Sequence, residues 1–387
     1  MSEDEWSYAL QLSMEIPSQA SRKEGKRFPN DSANEVSQFM SLRILRGPLK
    51  ATENREILKH YNRLTSSRIP MEEYLRWVTD GPDGPAWHAI LENEASEIVG
   101  HTAVIPMRGF RNGRQVVGGK AEYAFILEEY QASKIRGFEK SGRPRNTIMI
   151  QQLFQRCQNE FDPLLISTSD VRRRSLSNAG GSTVTFTVSE CLLVMRPWNA
   201  ARLTPNLRGW QRTTLCFAGI FQKLAWAAGR LFSSKSSAVR SSPIDKGLSC
   251  AESAKLCFFG DLESMRWRYP EDQYESLIVG DNRNHLIIKN GSPDRYLRIC
   301  QWRLSAGQPS FQLLAKLVEI ARSQGTLGVR WAAYGDDELS RELVRQMKKF
   351  GFLCARRTRS LLICSREQEL LSSDGWDLTD AMFSFDP

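Results

Sequence analysis

One acidic side chain, Glu122, lies within an otherwise apolar run that extends from Ala121 to Leu127. A carboxylate inside a strand needs a partner or a task, because burying an uncompensated charge is costly. Burial also raises the pKa of a carboxyl group, which suits it to take a proton near neutral pH. Glu122 is therefore predicted to be a general base. The alternative is a structural carboxylate that pairs with a nearby arginine.

The residues after this run are polar and basic, from Glu128 to Arg145, and a helix is predicted from about Asn146 to Asn159. Backbone N–H groups at a helix N-terminus bind phosphate, and cationic side chains add charge-assisted hydrogen bonds. The loop is therefore predicted to contact a phosphorylated ligand. The side chains available for this contact are those of Ser133, Lys134, Arg136, Arg143 and Arg145.

Positioning both features requires a strand, a loop, a helix, a second strand and a second helix. The second strand is predicted over residues 164–168, and a short helix after it ends at Gly181. This order is typical of two parallel strands joined by a crossover helix, with ligands bound at the carboxyl ends of the strands. Alternation along the first strand places Glu122 on one face with Ala124 and Ile126. A base must lie on the open face, in the cleft between the two halves of the chain.

The elements around this unit suggest an internal repeat. A strand over 39–44, helices that begin near Thr52 and Pro70, strands over 87–91 and 98–105 and a hairpin turn at Asn112-Gly113 precede it. Strands over 183–188 and 190–195 follow. A second set comprises strands over 274–279, 285–289 and 296–303, a helix over 311–322, a strand over 327–334, a helix over 336–350 and a strand over 359–364. The fold class is therefore predicted to be α/β with a mixed sheet, in two tandem domains.

The composition places the predicted boundaries. Residues 1–36 are predicted to be a disordered tail, followed by a domain over 37–204, a linker over 205–253 and a domain over 254–387. The apolar segment 213–232 is interrupted by Gln222, Lys223 and Arg230, which argues against a membrane-spanning helix. Two alternatives remain for it: an amphipathic helix that contacts a membrane surface, and a linker helix packed on both domains.

Charge and cysteine content limit the partners. The formal net charge of +9 favours an acidic partner, although a charge of this size also serves solubility. The eight cysteines and four histidines form no metal-binding pattern, so the cysteines are interpreted as reduced core residues and His101 as a core histidine. The acidic N-terminus is unlike a signal peptide, and no nucleic-acid-binding motif is present. A cytoplasmic protein without a metal or a nucleic-acid partner is predicted.

Three segments resemble the GNAT superfamily of acyl-CoA-dependent N-acyltransferases: Ile98–Pro106, Ile126–Gln131, and Leu165–Ser169 with the helix that follows it. They resemble the family's third strand, its fourth strand with the cofactor loop, and its fifth strand. Met265–Pro270 and Trp376–Thr379 are similar to segments of tandem GNAT proteins associated with bacterial surface polysaccharides. The resemblance implies acetyl-CoA or another acyl-CoA as donor. It also implies a small-molecule amine as acceptor, for example a nucleotide-linked or lipid-linked amino sugar.

The resemblance also implies positions for the cofactor. The family's pyrophosphate loop has the form Arg/Gln-x-x-Gly-x-Gly/Ala, and Gln131 matches its first position, whereas Lys134 and Arg136 replace the glycines. An alternative placement puts this loop over residues 145–150. That placement adds Asn146 and Thr147 as cofactor-binding candidates. The thioester oxygen is expected to bind a backbone amide, that of Ile126 or Leu127. The family's tyrosine acid falls at Leu176 or Ser177, where no acid stands.

Two functions of different classes are therefore expected. One is N-acyl transfer, by an enzyme located in the cytoplasm or peripheral to the inner membrane face through residues 213–232. The other is a catalytically inactive GNAT-like binding or scaffold protein, which the departure of the loop from the family pattern favours. The second half of the chain is expected to be structural or to shape the acceptor cleft.

Overall fold

The structure is a computed structural model of the 387-residue chain. It describes residues 39–65, 68–167, 181–203, 213, 216–217, 219–220, 239–242, 255–279, 284–289, 295–303, 311–335 and 338–377. The predicted tail, the predicted short helix before Gly181 and most of the predicted linker, including most of 213–232, lie outside these ranges. Among the helices within them, none is long and apolar enough to cross a membrane.

The first half of the chain has the predicted order of elements, followed by a short helix. The Asn112-Gly113 turn joins two long strands, and both turn residues have positive φ values, 51° and 74°, as a tight hairpin requires. The elements are β1 (Phe39–Arg46), α1 (Ala51–Thr65), α2 (Met71–Val78), β2 (Trp87–Glu92), β3 (Ile98–Arg111), β4 (Arg114–Ile126), β5 (Lys134–Ile135), α3 (Arg145–Cys157), β6 (Leu164–Ser167), β7 (Ser182–Val194) and α4 (Pro197–Leu203).

The second half also follows the predicted order. Two short strands and a helix come before its meander, and the first of these strands, Val239–Ser242, lies in the predicted linker and pairs with the first strand of the meander. The elements are β8 (Val239–Ser242), β9 (Leu256–Phe258), α5 (Leu262–Arg268), β10 (Tyr274–Val279), β11 (Asn284–Lys289), β12 (Leu297–Arg303), α6 (Phe311–Ser323), β13 (Gly328–Tyr334), α7 (Glu338–Lys349), β14 (Leu353–Cys364) and β15 (Trp376–Asp377).

One sheet continues through both halves, in the order β5-β1-β2-β3-β4-β6-β14-β7-β13-β12-β11-β10-β8. The predicted crossover is present, since β4 and β6 pair in parallel, and β12 and β13 repeat the arrangement. The halves exchange strands at the centre: β14 lies between β6 and β7, and β7 pairs with β13. Outward from this centre, the order is β6, β4, β3, β2 and β1 on one side and β13, β12, β11, β10 and β8 on the other. The two sides therefore have the same arrangement of strands.

Two boundaries differ from the prediction at this centre. The two strands predicted over 183–188 and 190–195 form the single strand β7, and the strand predicted over 359–364 begins at Leu353. The reason is that β7 has a partner along both edges, so its ladders continue through Ser189. Cys191 on β7 lies opposite Cys354 on β14 and forms a disulfide with it. The prediction of reduced cysteines is wrong for this pair, whereas Cys157, Cys216, Cys257, Cys300 and Cys364 are free.

The two faces of β4 meet different helices. On one face, Tyr123 packs edge-on against Tyr61 of α1 and Tyr74 of α2, with ring centroids 5.1 and 5.0 Å apart. On the other face, Gly119 lies against Phe161, which follows α3, so closely that a β-carbon would overlap its ring. Helices α1 and α2 therefore cover one face of the first half, and α3 covers the other.

Candidate active site at the β4 bulge

A β-bulge at Tyr123 shapes the surroundings of Glu122. Between the pairs His101–Phe125 and Ala103–Glu122 the register shifts, so that one residue of β3, Thr102, lies opposite two of β4. Tyr123 has φ of 54°, a left-handed conformation that costs a bulky residue on the order of 1–3 kcal/mol and persists only where the surrounding structure holds it. The bulge inserts one residue into the alternation of side chains along β4.

The predicted grouping of Glu122 with Ala124 and Ile126 is wrong because of this insertion. Tyr123 and Phe125 both face α1, where the ring of Phe125 lies 6.0 Å from that of His60. A β-carbon on Gly119 would point to the α3 side. Side chains alternate along a strand, so Glu122, three residues later, faces the opposite side, toward α1. The carboxylate therefore lies on the face away from the crossover helix, where a base was predicted to act.

Glu122 has a lysine rather than an arginine as its partner. The Nζ atom of Lys120 lies 2.5 Å from Oε1 of Glu122, and its side chain is fully buried, whereas that of Glu122 is 20% exposed. The two residues are two positions apart on one strand and so share a face. The ion pair favours the ionised carboxylate, which is the form that accepts a proton. Sequence reasoning missed Lys120, although its spacing from Glu122 was visible.

Two buried histidines hold the backbone of the bulge. Nδ1 of His101 lies 3.2 Å from the carbonyl oxygen of Tyr123, and Nδ1 of His88 lies 3.1 Å from Nε2 of His101. Because a carbonyl only accepts, His101 donates from Nδ1 and accepts at Nε2 from His88. Burial lowers the pKa of His88 to about 4 and that of His101 well below its ordinary value. Both rings are therefore neutral, and the interpretation of His101 as a core residue is confirmed.

The pairing of β4 with β6 ends just before the bulge. In the described residues it extends to Ala121 and Ile166, whereas β4 continues to Ile126. The amide of Leu127 donates to the carbonyl of Val99 at 2.9 Å, so it does not serve as the predicted thioester donor. In an antiparallel ladder, bonded and non-bonded pairs alternate, which directs the amide of Ile126 away from β3 and toward the opened edge. Ile126 is thus the better placed of the two candidates.

The loop after β4 does not lead straight into the crossover helix. It passes through a turn of 3-10 helix over Glu128–Tyr130 and then forms β5, which pairs with β1 at the edge of the sheet. Helix α3 begins at Arg145, after Pro144, so the alternative placement of the cofactor loop over 145–150 is wrong. The loop lies across the carboxyl ends of the strands, where a phosphorylated ligand was expected.

The predicted phosphate ligands fall into two groups. Arg145 donates to the carbonyls of Ser133 and Ala132 at 2.6 and 2.9 Å, and Arg143 donates to the side chain of Gln151. These two arginines fix the loop to itself and to α3, and Thr147 is buried in the first turn of the helix. The candidates left with exposed or partly exposed side chains in or beside the loop are Gln131, Ser133, Lys134, Arg136 and Asn146.

A cavity of about 500 Å³, lined by basic side chains of α1 and by Glu56, Glu97 and Glu129, adjoins this end of β4 between α1 and the start of β3. Arg55, Lys59 and Arg63 follow one another at intervals of four along α1 and line it together with His60 and Leu127. Burial, followed by the charges of Arg63 and Lys59, lowers the pKa of His60. The spacing of these basic residues on α1 was a visible signal that the sequence analysis did not use. In the described residues, no cluster of His, Cys, Asp and Glu side chains suits a metal ion.

Solved structures share this architecture, although no protein-family model and no curated protein matches the sequence. A Pyrococcus horikoshii protein described as an acetyltransferase is 11% identical, with a TM-score of 0.50 over 95% of this chain and 99% of that one. An Enterococcus faecalis protein, described as a conserved protein of unknown function and a probable N-acyltransferase, is 10% identical, with a TM-score of 0.50 over 86% and 74%. The chain has the GNAT fold. A third GNAT-fold neighbour, Saccharomyces cerevisiae N-myristoyltransferase with bound myristoyl-CoA and inhibitors, is 11% identical, with a TM-score of 0.51 over 83% and 80%.

Proposed function

We propose that the protein is an acyl-CoA-dependent N-acyltransferase whose reaction takes place at the β4 bulge. The observation that carries the proposal is the position of Glu122. It is a partly exposed carboxylate, paired with Lys120, near the end of the described pairing between β4 and β6, in a fold shared with a protein described as a probable N-acyltransferase. Yeast N-myristoyltransferase, a neighbour of this fold, was solved with myristoyl-CoA bound. An acyl-CoA thioester is accordingly the proposed donor.

The chain's own residues supply three parts of the chemistry. The amide of Ile126 donates to the thioester oxygen as negative charge develops on it. Glu122 takes a proton from the acceptor amine as its nitrogen attacks the thioester carbon, and the carbon–sulfur bond breaks. Coenzyme A leaves once its sulfur has taken up a proton. Gln131, Ser133 and Lys134, with the N-terminus of α3, hold the phosphates of the donor.

The finer parts of the proposal come from the sequence. The donor is acetyl-CoA, and the acceptor is the amino group of a small molecule such as a nucleotide-linked or lipid-linked amino sugar. The protein consists of two tandem GNAT-like domains and acts on bacterial surface polysaccharide precursors in the cytoplasm. Residues 213–232 provide a peripheral contact with the inner face of the membrane.

One observation favours the competing function, a GNAT-like protein that binds or scaffolds without catalysis. Arg143 and Arg145 are engaged in holding the loop, and side chains occupy the positions where the family has glycines. Release of free thiol from acetyl-CoA in the presence of a panel of amines separates the two functions. Amine-dependent release that falls in a Glu122→Gln variant supports the enzyme. Binding of acetyl-CoA with no release of thiol in the presence of any of the amines supports the binding protein.

A further inference from the structure

On the inner face of the second half's meander, polar side chains are buried without hydrogen-bond partners. On β11, Leu286 and Ile288 pack in the core with residues of α6 and α7, whereas Ile287 belongs to the core of the first half. Lys289 and Gln301 lie on the inner face with Ile287. Each is 4% exposed, and neither Nζ of Lys289 nor the two polar side-chain atoms of Gln301 has a hydrogen-bond partner.

Such burial needs compensation. An unpaired buried amide costs about 1–3 kcal/mol, and an unpaired charge costs more. Lys289 and Gln301, on the neighbouring strands β11 and β12, contribute three buried side-chain atoms that have no hydrogen-bond partner. Buried polar groups are normally hydrogen-bonded, so these atoms indicate that something outside the chain binds there.

A second cation adjoins Lys289. Nζ of Lys289 lies 5.5 Å from the ring centroid of Tyr274, and Arg268 donates from Nη1 to the hydroxyl of the same tyrosine at 3.4 Å. Arg268 is 4% exposed, and its guanidinium lies 4.9 Å from the ring centroid of Trp77 in α2. It is the arginine of the Trp267-Arg268-Tyr269 segment that the sequence singled out. Two buried cations beside one ring repel each other and attract an anion.

Carboxylates continue this arrangement toward the bulge. Glu73 of α2 is 6% exposed, and its charge acts on both Lys289 and Tyr123, although it forms no direct ion pair with Lys289. The charge of Glu122 also acts on Tyr123. Cations are therefore buried at Lys289 and Arg268, and carboxylates lie at Glu73 and Glu122. An anion is expected to bind at the cations.

We infer that the acceptor carries an anionic group, a carboxylate or a phosphate, which binds Lys289 beside Arg268. The identification of the ligand as the acceptor rests on the proposed function, but the anion site itself does not depend on acyl transfer. The Gln301 side-chain amide donates to the same anion, so both orphaned groups gain a partner.

Binding of inorganic phosphate to the full chain tests the anion site without any acyl donor. We expect phosphate to raise the Tm of the wild-type protein and of Lys316→Met, which removes an exposed lysine of α6. We expect no such rise in Lys289→Met. Gln301→Glu is a second variant that places a carboxylate beside Lys289, and it should also abolish the effect of phosphate. An equal rise in Tm in all four proteins would overturn the anion site.

Kinetics then test the class of acceptor. The probes are glucosamine, which has an amine and no anionic group, glucosamine 6-phosphate, which adds a phosphate, and glycine, which has an amine and a carboxylate. We expect wild-type KM to be lower by about tenfold or more for an anionic acceptor, as for one hydrogen-bonded charge pair worth at least about 1.4 kcal/mol. In Lys289→Met that preference should disappear through KM, with kcat changed little. The better of the two anionic probes identifies the anion.

The outcomes for the inference and for the proposed function are distinguishable. Phosphate stabilisation that depends on Lys289, together with no transfer to any probe, would leave the anion site standing and count against the enzyme. Transfer to glucosamine that equals transfer to both anionic probes would leave the enzyme standing and overturn the inference.

Discussion

The two halves of the molecule use one backbone arrangement for different chemistry. β4 and β12 each end an antiparallel meander and pair in parallel with the next strand, and that pairing stops at Ala121 in one and Ile299 in the other. Each strand then has a β-bulge, with one more residue than the antiparallel strand opposite it. The first half places Glu122 and Tyr123 there, and the second half places Cys300 and Gln301.

This difference indicates a division of labour. A strand that separates from its neighbour exposes backbone groups to a ligand in either half, but a carboxylate follows the separation in the first half alone. The second half offers Gln301 and, on the adjacent strand, Lys289, which are binding groups. The shared backbone therefore does not predict a shared activity. We expect one reaction centre, in the first half, and an acceptor-binding surface in the second.

The largest expected effect comes from removing the base. Glu122→Gln keeps the shape of the side chain and should lower the rate of acyl transfer about a hundredfold or more, with acetyl-CoA binding retained. Cys300→Ser, at the corresponding place in the second half, should leave the rate within about threefold, since a hydroxyl replaces a thiol of similar size. Thiol release by both variants measures the contrast. Comparable losses in the two halves would remove the division of labour.

The next effect concerns the histidines that support the β4 bulge. His101→Leu leaves the carbonyl of Tyr123 buried without its donor and should lower the free energy of unfolding by about 1–3 kcal/mol. The rate should fall with it, because Glu122 loses its fixed position. Urea unfolding and thiol release measure the two effects. A variant with the stability and the rate of the wild type would show that the histidine does not hold the bulge.

The same histidines predict a response to acid. Burial lowers the pKa of His88 from 6.5 to about 4, so between these values the unfolded chain binds a proton that the folded chain does not. Stability therefore falls as the pH is lowered from about 6.5 toward 4. His88→Leu should show a shallower fall over this window in urea unfolding at several pH values. A variant as acid-sensitive as the wild type would assign the effect to other groups.

The smallest effect is expected at the loop. Arg145→Ala removes two hydrogen bonds to the carbonyls of Ser133 and Ala132 and should raise the Kd for acetyl-CoA by about three- to tenfold, since each bond contributes about 0.5–1.5 kcal/mol and the site is partly exposed. Arg345→Ala, which removes an exposed arginine of α7 in the second half, is the matched control. Calorimetric titration compares them. Equal affinities would place the cofactor away from this loop.

The order of elements was accessible from the sequence because it depends on local patterns. The alternation in 98–105 and 327–334 predicted strands, and the Asn112-Gly113 pair predicted a hairpin, as the structure has them. The exchange of β14 into the first half was not predictable, since pairing between strands over 150 residues apart leaves no local mark.

The site was predictable in its residue types and not in its geometry. Glu122 was recognised as an acid in an apolar run, but a bulge of one residue has no sequence signal when the residue in the left-handed conformation is a tyrosine instead of glycine. The face of Glu122, its pairing with Lys120 and the support from His101 all follow from that bulge. Lys289 and Gln301 were overlooked because each is an ordinary polar residue until the fold buries it.

Calorimetric titration of the full chain with acetyl-CoA tests the central claim most directly, because the claim requires one acyl-CoA site in the first half. The account predicts binding of one molecule of acetyl-CoA per chain, with the stoichiometry unchanged in Glu122→Gln and in Lys289→Met. No heat at millimolar acetyl-CoA would contradict the enzyme, and two molecules bound per chain would contradict the division between the halves.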